Sequence, residues 1–490
     1  MLLMFRDFFP LALCLGLAAC AFAQQPPSTI NPDVKNIVDG ISEERITAIL
    51  NKLESFGTRH VNSPKDDPGR GIGAAQRWLH AEFASYSPRL QVSDQVFTIK
   101  KAGAYAYDAE LANIIAVLPG ATDPENSIVI SAHYDTVNYA KRNAASAQER
   151  VAALVKTGMD EAEARRYLQF FPPAETAPEN DAEKTAAQAS APGITDDATG
   201  IAIVLELARV MSQQAARQPF DKTLIFIAFA AEEGSHAGSK AYAASAKRAG
   251  RRIEGVLNND IIGSTVSGNG LSASNTLRVF AQGPEDSSAR AVARYIKEIG
   301  ERYVPSMKVE MVFRLDRFGR GGDHMSFIDE GFPALRVTTA SENFANQHSA
   351  TDTAANTSVP YTVRVARVNA AVAASLALAP AAPVVTWTYQ SGRRKGQQIP
   401  ILSRGVSGYD AVLRWEPSRA QDLAGYAIVI RSTTSPLWER EIWVGNVTEY
   451  TLPDVSIDNV VLGVKAVDKS GNESLVSAYV EPPYQGAAAQ

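Results

Sequence analysis

The chain alternates between segments with apolar residues at helical spacing and short continuous apolar runs. Helical spacing predicts helices that bury one face, and short β-branched runs predict buried strands. The predicted helices cover residues 41–56, 74–83, 199–214, 239–247, 288–299 and 361–378. The predicted strands cover residues 90–99, 111–118, 127–132, 223–230, 253–258, 277–281 and 334–338. This alternation predicts an α/β domain with a mostly parallel central sheet flanked by helices.

A linker rich in proline and alanine, at 379–383, ends this pattern. The residues that follow contain short strand-like runs between turn residues, at 411–415, 426–431, 441–444 and 460–467. Such runs are typical of a small all-β sandwich. We therefore expect two domains, at 24–382 and 383–490. The second resembles a fibronectin type III module with Trp415 in its core, and we find no catalytic residues in it.

Residues 138–192 differ in composition from the rest of the first domain, because they are rich in Ala, Glu, Lys and Gln. The first half of this segment is compatible with helix. The second half has few apolar residues, which predicts a surface excursion. We interpret 138–192 as an insertion.

The N-terminus has the features of an export signal. Arg6 precedes an apolar run at 8–19, and Ala21-Phe22-Ala23 matches a signal peptidase site. The run is too short for a permanent membrane anchor, so we expect a signal peptide at 1–23 and a periplasmic or secreted protein. Beyond residue 23 no stretch is long and apolar enough to span a membrane.

The two cysteines, Cys14 and Cys20, both lie in this segment. Cleavage after Ala23 leaves a mature chain without a thiol, which excludes a cysteine nucleophile. In the alternative interpretation, residues 17–20 (Leu-Ala-Ala-Cys) resemble a bacterial lipobox. Cys20 would then carry a lipid anchor, and the protein would be an outer-membrane lipoprotein.

Composition excludes one class of partner. Hydrophobic residues make up 45% and charged residues 21% of the 490, as in soluble globular proteins. The formal net charge of -5 provides no broad basic surface, so we expect no nucleic-acid partner.

Polar side chains stand where predicted strands end and in nearby loops. They are His133, Asp135, Asp196, Asp197, Glu232, Glu233, Asp260 and His348. Each alone has an ordinary explanation, such as a helix N-cap or a solvated carboxylate pair. Together, imidazoles and carboxylates at the ends of successive parallel strands converge on one crevice, as a Zn²⁺ site requires. Two histidines and three carboxylates suit two metals that share one carboxylate, and Asp135 is placed to orient His133.

The motifs that carry these residues resemble the M28 family of zinc aminopeptidases, over roughly residues 40–378. They are SAHYDTV at 131–137, GITDDATG at 193–200, FAAEEGSHAGSKAY at 229–242, NNDIIG at 258–263 and NQHSATDT at 346–353. The resemblance implies a zinc exopeptidase fold for the first domain and peptides as substrates. It also implies two Zn²⁺ ions per chain.

The resemblance further implies a role for each residue. Asp196 bridges the two metals, His133 and Asp260 complete one site, and Glu233 and His348 complete the other. Glu232 is the general base, which takes a proton from a shared water that the metals activate to hydroxide. Asp197 follows Asp196 through a non-proline cis peptide. The implied reaction removes N-terminal residues from peptides.

The substrate pocket departs from the family in one respect. Gln347 stands where many relatives carry a tyrosine that stabilises the oxyanion. Arg320 and His324 are further candidates for the pocket, or they belong to a loop held by glycines. We expect His60, His80 and His236 to be structural or exposed.

Two alternative functions stay open. One is a glutaminyl-cyclase-like enzyme on the same fold, which would use one zinc. The other is a binding protein with an inactive peptidase fold. The presence of every ligand for two metals argues against both, and the lack of H-E-x-x-H and G-x-S-x-G argues against other hydrolase classes.

Overall fold

The computed structural model describes residues 26–27, 29–100, 108–138, 147–170, 189–392 and 395–481. The predicted signal peptide with Cys14 and Cys20, and most of the second half of the insertion, lie outside these residues.

The first domain contains eleven α-helices among the described residues. They are α1 (Pro32–Asp39), α2 (Glu43–Ser55), α3 (Gly71–Tyr86), α4 (Ala147–Lys156), α5 (Glu161–Phe170), α6 (Thr199–Ala215), α7 (Glu232–Ser235), α8 (Ala237–Arg248), α9 (Ser288–Tyr303), α10 (His324–Asp329) and α11 (Val359–Leu378). Its strands are β1 (Gln91–Ile99), β2 (Ala109–Leu118), β3 (Asp123–His133), β4 (Lys222–Phe229), β5 (Arg252–Asn259), β6 (Thr276–Phe280), β7 (Lys308–Val312) and β8 (Ala334–Thr339).

These strands form one sheet in the order β1-β2-β4-β3-β5-β8-β6-β7. Its centre is parallel, because β4, β3, β5 and β8 all run in the same direction. The β1–β2 hairpin joins antiparallel at one edge, and β6 pairs antiparallel with β8 near the other. The predicted α/β class with a mostly parallel central sheet is therefore confirmed.

Both faces of the sheet are covered by helices. Alternate residues of β3 face opposite sides, so Ile128 and Ile130 join the larger hydrophobic core and Val129 joins the smaller one. The larger core contains α6 and α11, which pack on each other and on β3 and β4. The smaller core contains Tyr242 of α8 and Phe327 of α10. This arrangement buries the central strands on both faces, which explains their continuous apolar runs.

Four elements of the first domain were not predicted. The helices α1 and α7 and the strand β7 are short, and α10 begins within the glycine-rich run at 317–327, for which a loop was one of two interpretations. The described part of the insertion forms the helices α4 and α5. None of the helices in the described ranges combines the length and the apolar character needed to cross a membrane.

The residues after α11 form antiparallel strands. They are β9 (Thr386–Thr388), β10 (Gln398–Pro400), β11 (Leu402–Arg404), β12 (Ala411–Arg414), β13 (Leu423–Ser432), β14 (Arg440–Gly445), β15 (Glu449–Leu452), β16 (Val460–Asp468) and β17 (Ser477–Ala478). A sheet of three strands, β11-β12-β15, and one of four, β14-β13-β16-β17, share a core. Trp415 lies in that core, with its ring 5.3 Å from that of Tyr426.

Candidate metal centre

Four polar side chains of the site lie at the carboxyl ends of three neighbouring parallel strands. His133 is the last residue of β3, Glu232 and Glu233 follow β4, and Asp260 follows β5. Because β3 lies between β4 and β5, these side chains meet at one edge of the sheet. Asp196 joins them from the turn before α6.

Asp196 lies between two imidazole rings. His133 Nε2 is 3.1 Å from its Oδ1, and His348 Nε2 is 2.9 Å from its Oδ2. Asp196 and His133 are buried, whereas His348 is partly exposed. Each oxygen of one carboxylate therefore faces a different imidazole nitrogen, which is the arrangement of a bridging ligand.

The remaining carboxylates complete two neighbouring groups of ligand atoms. Glu233 Oε2 lies 3.2 Å from His348 Nε2, and Asp260 Oδ1 lies 3.8 Å from His133 Nε2. The ligand atoms of His133, Asp196 and Glu233 all lie within 4.8 Å of one another, as do those of His133, Glu232 and Asp260. Nitrogen and carboxylate donors at this spacing fit divalent zinc, which binds such ligands at about 2.0–2.2 Å.

Asp135 supports these ligands through both of its acceptor groups. Its main-chain oxygen is 3.1 Å from His133 Nδ1, so a proton on Nδ1 leaves the Nε2 lone pair free for a metal. Its carboxylate accepts hydrogen bonds from the main-chain N–H groups of Glu232 at 3.0 Å and Glu233 at 3.3 Å. One buried side chain therefore positions residues from β3 and from the turn after β4.

Asp197 is joined to Asp196 by a cis peptide. Its carboxylate accepts hydrogen bonds from the main-chain N–H of His133 at 3.3 Å and of Gly200 at 3.1 Å. It thus connects the end of β3 to the start of α6. Burial raises the pKa of Asp197 well above its ordinary value, and neighbouring carboxylates reinforce the shift against the opposing effect of His133.

Glu232 lies at the entrance to the centre. Its Oε2 is 3.8 Å from His133 Nε2 and its Oε1 is 3.5 Å from His236 Nε2. Burial raises the pKa of Glu232 well above its usual range; His133 opposes this, and Asp260 and Glu233 add to it. A raised pKa is what a carboxylate needs to accept a proton near neutral pH.

Asp260 differs from its neighbours because an arginine neutralises it. The buried guanidinium of Arg336, in β8, binds both oxygens of the Asp260 carboxylate. Burial alone would raise the pKa of Asp260, but Arg336 and His133 outweigh it and hold the pKa far below its usual value. Arg336 was not predicted, although a charged residue inside an apolar strand was a usable signal.

Asp352 is a second residue that sequence reasoning missed, although it belongs to the NQHSATDT motif. Its Oδ1 accepts hydrogen bonds from the main-chain N–H of Thr195 at 2.8 Å and from its hydroxyl at 2.5 Å. Its Oδ2 accepts one from the main-chain N–H of Asp196 at 3.1 Å. Asp352 therefore ties the loop of His348 to the turn of Asp196.

Arg59 is a third such residue, and nothing in the sequence singled it out. It is fully buried, and its guanidinium donates to the main-chain oxygens of Tyr134 at 2.7 Å, Pro192 at 2.6 Å and Gly193 at 2.9 Å. It thus holds the end of β3 against the turn that carries Asp196.

A cleft of about 420 Å³ opens onto the centre. Arg320 and His236 line it, although we had expected His236 to be structural or exposed. His324 does not line it: its ring is fully buried, and its Nε2 donates to the main-chain oxygen of Leu315 at 3.0 Å. Gln347 is also absent from the lining and is largely buried beside His348.

Comparisons with known proteins identify the family of the chain. Residues 113–373 match the family model described as peptidase family M28. A "Probable zinc metalloprotease" of Pyricularia oryzae is 33% identical over 94% of this chain and 89% of its own length. One of Pyrenophora tritici-repentis is 33% identical over 93% of this chain and 90% of its own.

A solved structure is also similar in fold. The LapA aminopeptidase of Legionella pneumophila aligns over 72% of this chain and 77% of its own, at 19% identity and a TM-score of 0.48. The family match and the full-length relatives are the decisive findings. The chain therefore belongs to peptidase family M28 and is a zinc metallopeptidase.

Proposed function

We propose that the chain is an exported aminopeptidase with two zinc ions. The observation that carries this proposal is the position of Asp196, whose two carboxylate oxygens each face a different imidazole in a buried cluster rich in carboxylates. A single ion would use one of these oxygens; two ions would use both.

The ligand sets are those that the family resemblance implies, and the distances are compatible with them. His133 and Asp260 would hold one zinc, Glu233 and His348 would hold the other, and Asp196 would serve both. When bound, the two ions lower the pKa of water, polarise the scissile carbonyl and neutralise the carboxylates. Asp135 and Asp352 keep the ligands in place through the hydrogen bonds described above.

Glu232 acts as the general base. Its carboxylate lies beside His133 and Asp260, and burial raises its pKa well above the usual value. It takes a proton from the attacking water and returns it to the departing amine.

Gln347 is a candidate for stabilising the negative charge that develops on the substrate carbonyl oxygen. Its Nε2 is buried and has no hydrogen-bond partner within the described ranges. The side chain does not line the cleft, so it would have to turn toward the substrate to donate such a hydrogen bond.

A panel of aminoacyl p-nitroanilides tests the activity. Free-amine substrates should be cleaved, their N-acetylated counterparts should not, and chelation should abolish cleavage until zinc is returned. Metal analysis of the purified protein should give two zinc ions per chain. Cleavage of blocked substrates would instead indicate an endopeptidase, and cyclisation of N-terminal glutamine without hydrolysis would indicate a glutaminyl cyclase.

A second test concerns export. The N-terminal residue of the mature protein, recovered from outside the cytoplasm, should be Gln24 if the signal is cleaved after Ala23. A lipid-modified Cys20 at the N-terminus would establish the anchored form instead.

A further inference from the structure

We propose that the cleft selects substrates that carry a carboxylate close to the scissile bond, and that Arg320 binds this carboxylate. This inference rests on the proposed aminopeptidase function and names its substrate class. It starts from the charges on the wall of the cleft opposite the turn of Glu232.

Arg317 and Arg320, which line the cleft, share one carboxylate with Arg278, which does not line it. Glu342 Oε1 accepts a hydrogen bond from Arg278 at 2.8 Å. Its Oε2 accepts from Arg317 at 2.8 Å and from Arg320 at 2.9 Å. These cations hold the pKa of Glu342 below its usual value, although burial acts in the opposite direction. Glu342 is therefore ionised, and its oxygens are already occupied.

This group of paired side chains keeps an excess of positive charge. Asp316 is the only other carboxylate that pairs with these three arginines in the described structure, through Arg317 at 2.9 Å. Three guanidinium groups thus face two carboxylates. Arg336 does not change this balance, because Asp260 already neutralises it.

Arg320 is the arginine of this set that is available to a substrate. Its side chain is 30% exposed, whereas that of Arg317 is 10% exposed. One of its N–H groups donates to Glu342, and its guanidinium lies 5.6 Å from the ring of Phe344. A guanidinium has five N–H donors, so Arg320 keeps donors for the planar, two-point contact that carboxylates favour.

Two glycines allow the loop that carries Arg320 to lie close to the proposed metal ligands. A Cβ added at Gly322 would lie 2.9 Å from Asp260 Oδ2 and 2.6 Å from Arg336 Nη1, which is too close for any side chain. A Cβ at Gly321 would lie 3.3 Å from the ring of His236. Arg320 therefore lies within one side-chain length of the reacting centre, and zinc bound there would neutralise the carboxylates that otherwise repel an acidic substrate.

Two sources of carboxylate fit this position: an acidic side chain, or the free C-terminus of a dipeptide. The experiment compares kcat/KM for matched pairs of substrates on the zinc-loaded, full-length protein. The first arm compares the p-nitroanilides of Glu and Gln, and the second compares the dipeptide Leu-Gly with its C-terminal amide. The p-nitroanilide of Leu is the neutral reference.

We expect the carboxylate substrate to be favoured about tenfold or more in one arm, which identifies the source, because a charge-assisted bidentate contact is lost with the amide. Arg320→Gln should reduce this ratio to about one, mainly through KM, and Arg320→Lys should keep part of it. The control Arg314→Gln, an exposed arginine of the same loop that does not line the cleft, should keep the wild-type ratio. Zinc content and thermal unfolding establish that each variant is folded.

Ratios near one in both arms, or a ratio that Arg320→Gln leaves unchanged, would overturn the inference. Cleavage of the Leu reference would in that case leave the proposed aminopeptidase function intact. No cleavage of any free-amine substrate would overturn both.

Discussion

Two clusters of buried charged residues in this molecule look similar in composition but differ in balance. One is the metal centre. The other lies where α9 meets the C-terminal sheets, and we call it the docking cluster: Glu298 and Arg302 of α9, with Lys465 and Glu473 of the C-terminal domain. Lys465 is 2.6 Å from Glu473 and 3.2 Å from Glu298, and Arg302 is 2.7 Å and 2.8 Å from the same two carboxylates.

The docking cluster contains two cations among its carboxylates: Lys465 also pairs with Glu441 at 2.8 Å, and burial raises the pKa of Glu298 although Lys465 opposes this. Arg302 and Lys465 outweigh the effect of burial on Glu473 and lower its pKa, and the surrounding carboxylates raise the pKa of Lys465. Close to it, Arg431 pairs with Glu285 at 2.9 Å and with Asp286 at 2.7 Å. Folding therefore favours the charged forms of Glu473 and Lys465, which is typical of a structural ion-pair network.

The metal centre has the opposite balance. Burial raises the pKa values of Glu232, Glu233 and Asp197, and the neighbouring carboxylates add to this. Arg336 is the only arginine of the described residues that pairs with a ligand carboxylate here. Charge balance, more than burial or residue type, therefore distinguishes a cluster that needs an added cation from one that is complete.

The largest expected effect breaks catalysis while keeping the proposed metal ligands. Glu232→Gln should lower kcat by about 10³-fold, because general-base catalysis typically contributes 10²–10⁴-fold. Hydrolysis of Leu p-nitroanilide measures the loss, and metal analysis should still find zinc. Loss of zinc together with activity would instead assign Glu232 as a ligand.

Lys465→Met tests the docking cluster. It removes one of the two cations that Glu298 and Glu473 share in a largely buried site, so we expect the free energy of unfolding to fall by about 3 kcal/mol. Urea denaturation measures it. Zinc content and kcat/KM of the folded variant should equal those of the wild type.

The matched control for Lys465→Met is Arg404→Met. Arg404 pairs with Asp458 on the surface, where both side chains are more than half exposed. We expect a change below about 1 kcal/mol, because solvent screens such pairs. Equal losses of unfolding free energy in the two variants would mean that the buried ion pairs of Lys465 stabilise the fold no more than a surface pair does.

Sequence reasoning singled out the side chains that meet at the candidate metal centre but not those of the docking cluster, for a physical reason. The ligands follow apolar strands, so His133 and Asp260 stand out where periodicity ends and where parallel strands converge. Glu298 and Arg302 are spaced as on any solvated helix face, and Lys465 alternates with apolar residues as on an exposed strand face. No local pattern reveals that these two faces meet.

The same reasoning explains the finer differences within the first domain. Asp352 holds the turn of Asp196 across 156 residues of sequence, and no spacing rule connects them. His324 resembled a pocket residue because it follows a glycine-rich loop, but α10 begins there and turns the ring into the core. Local propensity predicted the elements, whereas tertiary contacts decided which polar residues face the cleft.

Removal of the metal should destabilise one region only. At a free zinc concentration of about 100 times the Kd, each bound ion stabilises the folded state by about 2.7 kcal/mol. Chelation should therefore lower the Tm measurably. Hydrogen exchange should increase around the turn of Asp196 and the loop of His348, but not in β13 and β16, which carry the docking cluster. Uniform loosening of both regions would contradict the independence of the two clusters.

The smallest expected effect is a difference in pH dependence of the metal-free protein. Burial raises the pKa of Asp323, beside the metal centre, to about 7. Between the unfolded pKa of about 4 and this value the folded state holds a proton that the unfolded state has lost, so the free energy of unfolding falls as pH rises. Glu473, with its lowered pKa, acts in the opposite direction and stabilises the fold until the solution is acidified.

The free energy of unfolding and the Tm of the chelated protein, measured from pH 5 to pH 8, therefore separate the two clusters. The Asp323→Asn side chain stays neutral throughout. It should therefore reduce the fall in the free energy of unfolding with rising pH by at most about 1.4 kcal/mol per pH unit. Glu473→Gln should leave the decline in place while lowering Tm at every pH in this range, because Glu473 is ionised in both states there. If Asp323→Asn declined as steeply as the wild type, the Asp323 carboxyl would be ionised in the fold, and the metal centre would hold one more negative charge than its burial implies.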